Sequence, residues 1–364
     1  MEKNAKIYVA GHTGLVGSAI VRKLEANGYH NFVFRTLEEM DLTNQQATLD
    51  FFKAEKPEYV ILAAAKVGGI VANNKYRAEF IIDNIQIQNN IINASYKNNV
   101  KKLLFLGSSC IYPKSAPQPI KEEDLLTSPL EYTNEPYAIA KIAGIKTCES
   151  FNLQYGTNYI SVMPTNLYGH NDNFDLEKSH VLPALIRKMH LGKALLNNDW
   201  VLIRADLNRK PIEGINGSGS EAEILDKLSK YGINKVQSNV EVALWGTGNP
   251  RREFLFSDDL ADACLFVMNN VDFKDLVKLS DIGNDEVRNT HINIGSGTDL
   301  TIRELSEIVK KTVGFEGKIV WDATKPDGTP QKLLNVSKLK KLGWAYTVKL
   351  DEGIANVYKK YLTV

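Results

Sequence analysis

Lys6-Ile7-Tyr8-Val9-Ala10-Gly11-His12-Thr13-Gly14-Leu15-Val16-Gly17 decides the fold. The first five residues read as a buried strand. A glycine turn follows, and then an amphipathic helix to about Ala26. Strand, glycine turn and helix in that order is the setting a dinucleotide-binding fingerprint requires. Gly11 permits the tight turn, Gly14 lets the backbone approach a pyrophosphate, and Gly17 lets helix and strand pack. The helix N-terminus offers free amide donors to phosphate oxygens. Residues 11 to 17, Gly-His-Thr-Gly-Leu-Val-Gly, are therefore expected to bind the cofactor. The spacing is GxxGxxG rather than GxGxxG, so the flanking elements carry the reading as much as the glycines do.

The alternation continues beyond that unit. Asn31 to Phe34 reads as a second strand, Gln45 to Lys56 as a helix and Tyr59 to Ala63 as a third strand. A long helix is expected over Asn73 to Asn98 and a fourth strand over Lys102 to Leu106. Helix Tyr137 to Tyr155 and strand Asn158 to Met163 follow. Repeated strand–helix units predict an α/β fold, a Rossmann-type doubly wound parallel sheet, with ligands at the carboxyl ends of the strands. The glycine turn, Ala63-Ala64-Ala65 and Gly107-Ser108-Ser109-Cys110 all fall at such ends.

Tyr137-Ala138-Ile139-Ala140-Lys141 places a phenol and an ammonium four residues apart, on one helix face. A surface Tyr–Lys pair has the same spacing. With a nucleotide fingerprint and a serine-bearing strand end upstream, the pair reads instead as catalytic. An ammonium beside a phenol favours phenolate, so the pKa of Tyr137 is expected to fall from its usual ~10. Such a phenol exchanges a proton with a carbonyl or hydroxyl oxygen, and Ser108 is placed to hold the same oxygen.

After Asn171 the elements shorten, and a smaller, mostly C-terminal α/β substrate-binding lobe is expected over 171–364. The dinucleotide-binding domain is expected over 1–170, with a segment of about 245–300 returning to it. Residues of about 191–240 read as an inserted pair of helices, Leu195 to Leu207 and Ser220 to Tyr231, joined by a flexible Gly214 to Gly219. No cluster in the insertion suggests chemistry; it reads as a surface elaboration, an oligomer contact or a lid.

The chain has 364 residues and a net charge of 44 − 43 = +1. That balance gives no dominant nucleic-acid surface. Three cysteines, Cys110, Cys148 and Cys264, lie at no metal-like spacing, which predicts no bound metal and a reducing compartment. The N-terminus lacks signal-peptide character, and the longest apolar run, Val60 to Ala72, is broken by Lys66. A cytoplasmic location without membrane partners is expected.

Longer runs carry a family resemblance. They are AAAKVGGIVANN (63–74), LLFLGSSCIYP (103–113), EPYAIAKIAGI (135–145), SVMPTNLYG (161–169), SHVLPAL (179–185), WGTG (245–248) and KPDGTPQKLL (325–334). These resemble the extended short-chain dehydrogenase/reductase superfamily and, within it, the GDP-L-fucose synthase family, over nearly the whole chain apart from 191–240.

The resemblance implies a two-part reaction on GDP-4-keto-6-deoxy-D-mannose: epimerisation at C3 and C5, then reduction of the C4 ketone by NADPH. It implies that Tyr137 gives the proton to the C4 oxygen, that Lys141 tunes it and holds the nicotinamide ribose, and that Ser108 bonds the oxygen. Cys110 and His180 become the base and acid of the epimerisations. Arg35, Ala64, Leu106, Gly107, Ser109, Pro164, Thr165, Asn166, Leu167 and His180 join the cofactor set. Lys188, Trp245, Arg252, Asp327 and Lys332 surround the GDP-sugar, and a homodimer is implied.

Two departures bear on the cofactor. Thr13 and Leu37 stand where the family commonly has arginines for the 2′-phosphate of NADP, leaving Arg35 to reach it. NADPH remains the expected reductant, with NADH possible. Position 188 is lysine in place of the usual arginine, which keeps the charge and loses the bidentate fork. The competing enzyme readings are a C4-reductase of a related GDP-4-keto sugar such as a heptose, without epimerisation, and a 4-epimerase that recycles bound NAD. A nucleotide-sensing regulator is disfavoured because Ser108, Tyr137 and Lys141 are all present.

Overall fold

The computed structural model describes residues 1–280 and 286–363, so residues 281–285 of the segment expected to return to the nucleotide domain lie outside the described residues. The chain forms two compact units. One comprises Met1–Asn171, Glu253–Thr298 and Leu333–Val348; the other comprises Asp172–Arg252, Asp299–Lys332 and Lys349–Val364.

The first unit is built on a six-stranded parallel sheet. From one edge the order is Ile292–Ile294, Tyr159–Pro164, Lys102–Leu106, Tyr59–Leu62, Ile7–Ala10 and Phe32–Val33. Successive side chains alternate between faces. Ile7, Val9, Ile61, Leu104, Leu106 and Val162 face one layer, with Ile20 and Leu24 of the first helix and Leu260 and Cys264 of the Ser257–Asn270 helix. Tyr8, Ala10, Val60, Leu62, Leu103 and Phe105 face the other, against Phe51 and Phe52, Ile91 and Ile92, and Ile142 and Ile145. Because both faces are covered, the strands read as continuous apolar runs. Each fully buried aliphatic or aromatic side chain contributes about 1.5–3 kcal/mol relative to exposure.

Chain order reverses direction across this sheet at the Ile7–Ala10 strand, which has the second strand on one side and the third on the other. That is the topological switch point at which doubly wound sheets bind ligands. The helix expected over Asn73 to Asn98 is in fact two, Ile70–Lys75 and Arg77–Lys97. They are separated at Tyr76, whose backbone (φ −108°, ψ 41°) leaves the helical region.

In the second unit, Ile233–Val236 and Asn239–Trp245 form an antiparallel hairpin, and Lys318–Asp322 pairs in parallel with the latter strand. The insertion differs from its sequence reading. The helix expected over Leu195 to Leu207 is broken: Val181–Leu196 ends at Asn197, Asn198 takes φ +53°, and Trp200–Arg209 begins anew under the Asp199 cap. The glycine-rich joint is tied down by Arg204, whose Nη1 donates to the carbonyls of Gly217 (2.6 Å) and Gly219 (2.7 Å). Arg187, fully buried, pairs with Asp206 at 2.9 Å, and Tyr361 donates to the same carboxylate. These bonds join three helices of the unit.

Candidate active site

The glycine turn is shaped by close contact. A side chain at Gly11 (φ +81°) would meet the Ala64 backbone nitrogen at 2.8 Å, and one at Gly17 would sit 2.0 Å from the Gly11 carbonyl oxygen. Gly14 has only ordinary contacts and precedes the Leu15–Ala26 helix with no side-chain cap, leaving its first-turn amides to be satisfied from outside the helix. The His12 ring stacks on Phe34, with centroids 4.6 Å apart. These features fit a dinucleotide pyrophosphate.

Residues at the other strand ends complete this side of the first unit. Ala64 abuts Gly11, and Leu106 and Gly107 end the Lys102–Leu106 strand. Pro164 ends its own strand. Thr165 bonds the Ile294 carbonyl at 2.9 Å through its amide, and Asn166 Nδ2 donates to the Glu253 carbonyl at 2.8 Å. Asn166–Tyr168 then pairs with Phe254–Phe256.

Arg35 is engaged. Its Nη1 donates to the Phe34 carbonyl at 2.7 Å and its Nη2 to Glu55 Oε1 at 2.9 Å. Thr13 and Leu37 are exposed, Leu37 at 72%. Glu39 accepts the Thr36 amide at 2.7 Å. Arg35 is thus the arginine of this turn among the described residues, and Glu55 holds it.

Ser108 sits where the strand passes into a short 3-10 turn, Ser109–Ile111, and its Oγ accepts the Cys110 amide at 3.2 Å. Ser109 is buried and Cys110 half-buried. The Glu135–Tyr155 helix approaches closely because residue 144 is glycine; a Cβ there would lie 2.4 Å from the Phe105 ring. That approach brings Tyr137 against Ser108 and Cys110. Burial pushes the pKa of Tyr137 above its ordinary value, the nearby Cys110 thiol adds to the rise, and the hydrogen bond with Ser108 opposes it. Lys141, 3% exposed, donates from Nζ to the Leu106 carbonyl at 2.9 Å, and burial lowers its pKa to about 7.

The expected drop in the Tyr137 pKa is thus reversed. Desolvation is the largest cause for Tyr137 and the cause for Lys141, because burial disfavours the phenolate and the ammonium alike. Sequence spacing correctly implied proximity, but the sign of the shift depends on how deeply the folded chain covers the pair.

The second unit holds the other predicted residues. His180 precedes the Val181–Leu196 helix; its ring is exposed, yet desolvation by surrounding chain still lowers its pKa. Lys188 lies on that helix, and burial lowers its pKa to about 8. Trp245 ends its strand 67% exposed, with Lys325 Nζ 5.7 Å from its ring centre. Asp327 accepts the Thr247 amide at 2.9 Å and its hydroxyl at 2.7 Å, which holds the carboxyl below its usual range. Arg252 donates to the Thr329 carbonyl at 2.6 Å and is in parallel register with Lys332. Trp245, Arg252, Asp327 and Lys332 thus converge on the 325–332 loop. No helix among the described residues is long and apolar enough to cross a membrane.

A doubly covered parallel sheet, opened by a glycine turn at its switch point, with Ser108 beyond one strand end and Tyr137 and Lys141 on the helix packed against it, is the framework of a nicotinamide-dependent oxidoreductase. The chain belongs to the NAD dependent epimerase/dehydratase family, whose model matches residues 7–208 and 214–295. It is 53% identical to GDP-L-fucose synthase 1 of Arabidopsis thaliana over 361 residues, covering 99% of this chain and 94% of that one. It is 47% identical to GDP-L-fucose synthase of Escherichia coli strain K12 over 357 residues, covering 98% and 96%. Among solved structures it resembles a GDP-mannoheptose C4 reductase from Campylobacter jejuni with NADP bound. That likeness has 46% identity and a TM-score of 0.86, and it covers 100% of this chain and 99% of the other. These matches run through residues 191–240, which the sequence reading had set outside the resemblance.

Proposed function

We propose that this chain is a GDP-L-fucose synthase: it epimerises GDP-4-keto-6-deoxy-D-mannose at C3 and C5 and reduces the C4 ketone with NADPH. The nucleotide, when bound, supplies the hydride. The observation that carries the reading is the meeting of Ser108, Tyr137 and Cys110 at one strand end, with Lys141 beneath. Identities of 47–53% to synthases of this name support it.

The chemistry follows from the residues. Protons beside a ketone become acidic when the developing enolate oxygen is held, and Ser108 and Tyr137 supply two donors for it. Cys110 and His180 exchange protons at the two carbons that flank the carbonyl. Desolvation lowers the pKa of His180, which favours its acting as a proton acceptor before it returns a proton. Tyr137, its pKa raised, arrives protonated and is poised as an acid; in the reductive step it gives that proton to the C4 oxygen. Lys141 titrates near neutrality and replaces the phenolic proton. Lys188, Arg252 and Lys332 offer cationic charge for the pyrophosphate, Trp245 offers a face for a base or sugar, and Asp327 fixes the loop that bears Lys332.

A second reading has its own support. The Campylobacter jejuni C4 reductase of a GDP-mannoheptose aligns end to end with this chain, so reduction of a GDP-4-keto-heptose without epimerisation is the alternative. One experiment separates them. Purified protein is incubated with GDP-4-keto-6-deoxy-D-mannose and NADPH in D2O, and the product is identified. GDP-L-fucose with deuterium at C3 and C5 supports the first reading. A 4-reduced sugar without deuterium there excludes epimerisation, and no turnover of this sugar directs the test to the heptose. We propose further that the enzyme is a cytoplasmic homodimer, which sedimentation and cell fractionation test.

A further inference from the structure

Tyr112 leaves the Ser109–Ile111 turn directly into a buried polar network that no part of the proposed mechanism uses. Tyr112, His291, Asn293 and Glu122 are each at most 3% exposed. Asn293 Nδ2 donates to the carbonyls of Ile120 (3.1 Å) and Asn335 (3.3 Å), which fixes the orientation of the amide. Its Oδ1 is then an acceptor, and the Tyr112 hydroxyl donates to it at 2.5 Å. With that proton committed, the contact of 3.0 Å between Tyr112 and His291 Nε2 requires the imidazole to be the donor. His291 is therefore the neutral Nε2–H tautomer, and its buried Nδ1 has no partner among the described residues. Burial holds its pKa well below the usual value, with Lys338 and Lys146 acting in the same direction.

We infer that Tyr112, held by Asn293 and His291, is a positioning residue for the turn that carries Ser108 and Cys110. The turn is pinned at two points. At its head, the Gly107 amide bonds the Val162 carbonyl at 2.8 Å. At its tail, Tyr112 is fixed by the network. Between these pins the Ser108 carbonyl accepts the Ile111 amide at 3.3 Å, so the four residues move as one piece. Releasing the tail shifts Ser108 and Cys110 together against Tyr137. A displacement of about 1 Å in such a constellation costs on the order of 10²-fold in rate. The inference rests on the proposed roles of Ser108 and Cys110.

Tyr112→Phe keeps the ring and removes the hydroxyl. In the folded variant kcat should fall by at least about tenfold for both solvent-deuterium exchange and reduction, with KM and NADPH affinity nearly unchanged. An unchanged kcat overturns the inference, and so does a loss of cofactor affinity in step with kcat, which marks general loosening. His291→Gln supplies a side-chain N–H and should retain activity that His291→Leu loses; equal loss in both overturns the tautomer assignment and with it the anchor. Alkylation of Cys110 by iodoacetamide separates this inference from the proposed function, because Cys148 and Cys264 are at most 1% exposed. If the wild type turns over neither sugar, the proposed function fails. The inference then stands on a Cys110 alkylation rate that differs between wild type and Tyr112→Phe, and falls if the two rates agree.

Discussion

Lys141 Nζ lies over the ring of Tyr137, 5.8 Å from its centre, while it donates a hydrogen bond to the Leu106 carbonyl. The two side chains are close, yet burial moves both away from their charged forms: the phenol upward, the ammonium down to about 7. A lysine whose folded pKa lies below its unfolded value of ~10.4 binds fewer protons when folded, throughout the interval between the two. Stability from this group is therefore flat below pH 7 and rises as pH climbs from about 7 toward 10. Thermal unfolding of wild type and Lys141→Met between pH 6 and 10 checks the sign. Relative to the variant, the wild type should gain stability with pH, by on the order of 4 kcal/mol at most. A difference that stays constant across the range would mean that Lys141 is not desolvated.

Removal of the phenolic proton tests the reductive half of the reaction by itself. Tyr137→Phe should lower the rate of ketone reduction by roughly 10²–10⁴-fold, the usual contribution of a positioned general acid. Nucleotide affinity should barely change, because the glycine turn and its helix are untouched. Cys110→Ser should leave C4 reduction of an already epimerised keto sugar intact and block deuterium entry at C3 and C5. Retained deuterium entry in Cys110→Ser would remove that residue from the mechanism.

Much of the first unit was legible because its information is local. Lys102 to Leu106 was read with its observed ends, since an apolar run closed by glycine is marked in the chain itself. The break at Tyr76 carries no glycine or proline to announce it. The break at Asn198 carried a weak sign, asparagine being among the few residues that tolerate φ > 0. Tyr112 with His291 was invisible because 179 positions separate the partners. The direction of the Tyr137 shift was missed for a different reason: spacing gives proximity, whereas desolvation depends on every element that covers the pair.

Lys102 begins the strand that leads to Ser108, and its side chain is used structurally. Nζ donates to the carbonyls of Val267 (2.9 Å), Met268 (3.0 Å) and Val271 (2.5 Å) at the end of the Ser257–Asn270 helix, with Asp272 at 3.5 Å. A cation there answers both the buried carbonyls at the helix end and the helix dipole. Lys102→Met keeps most of the aliphatic stem and leaves three carbonyls without their donor. The expected loss is roughly 2–4 kcal/mol, because Asp272 is half exposed and its charge is partly rehydrated. Urea unfolding followed by fluorescence measures it; a loss below about 1 kcal/mol would show that water replaces the ammonium.

Choice of nucleotide turns on one ion pair. Arg35 is the arginine at the end of the Phe32–Val33 strand, and Glu55 Oε1 holds its Nη2 at 2.9 Å while the Phe51 ring lies 5.1 Å from the guanidinium carbon. Both partners are partly exposed, so the pair itself is worth only about 0–1 kcal/mol, whereas a charge-assisted bond to a phosphate is worth about 1.5–3 kcal/mol. A 2′-phosphate should therefore win Arg35 from Glu55, and NADPH should be preferred to NADH by a modest factor. Glu55→Gln removes the competitor and should widen that preference, while Arg35→Ala should bring the two affinities together by weakening NADPH alone. Fluorescence titration of each variant with both nucleotides reads these changes without any substrate present. If Arg35→Ala weakens NADH as much as NADPH, the arginine supports the turn rather than the phosphate, and discrimination must come from another residue.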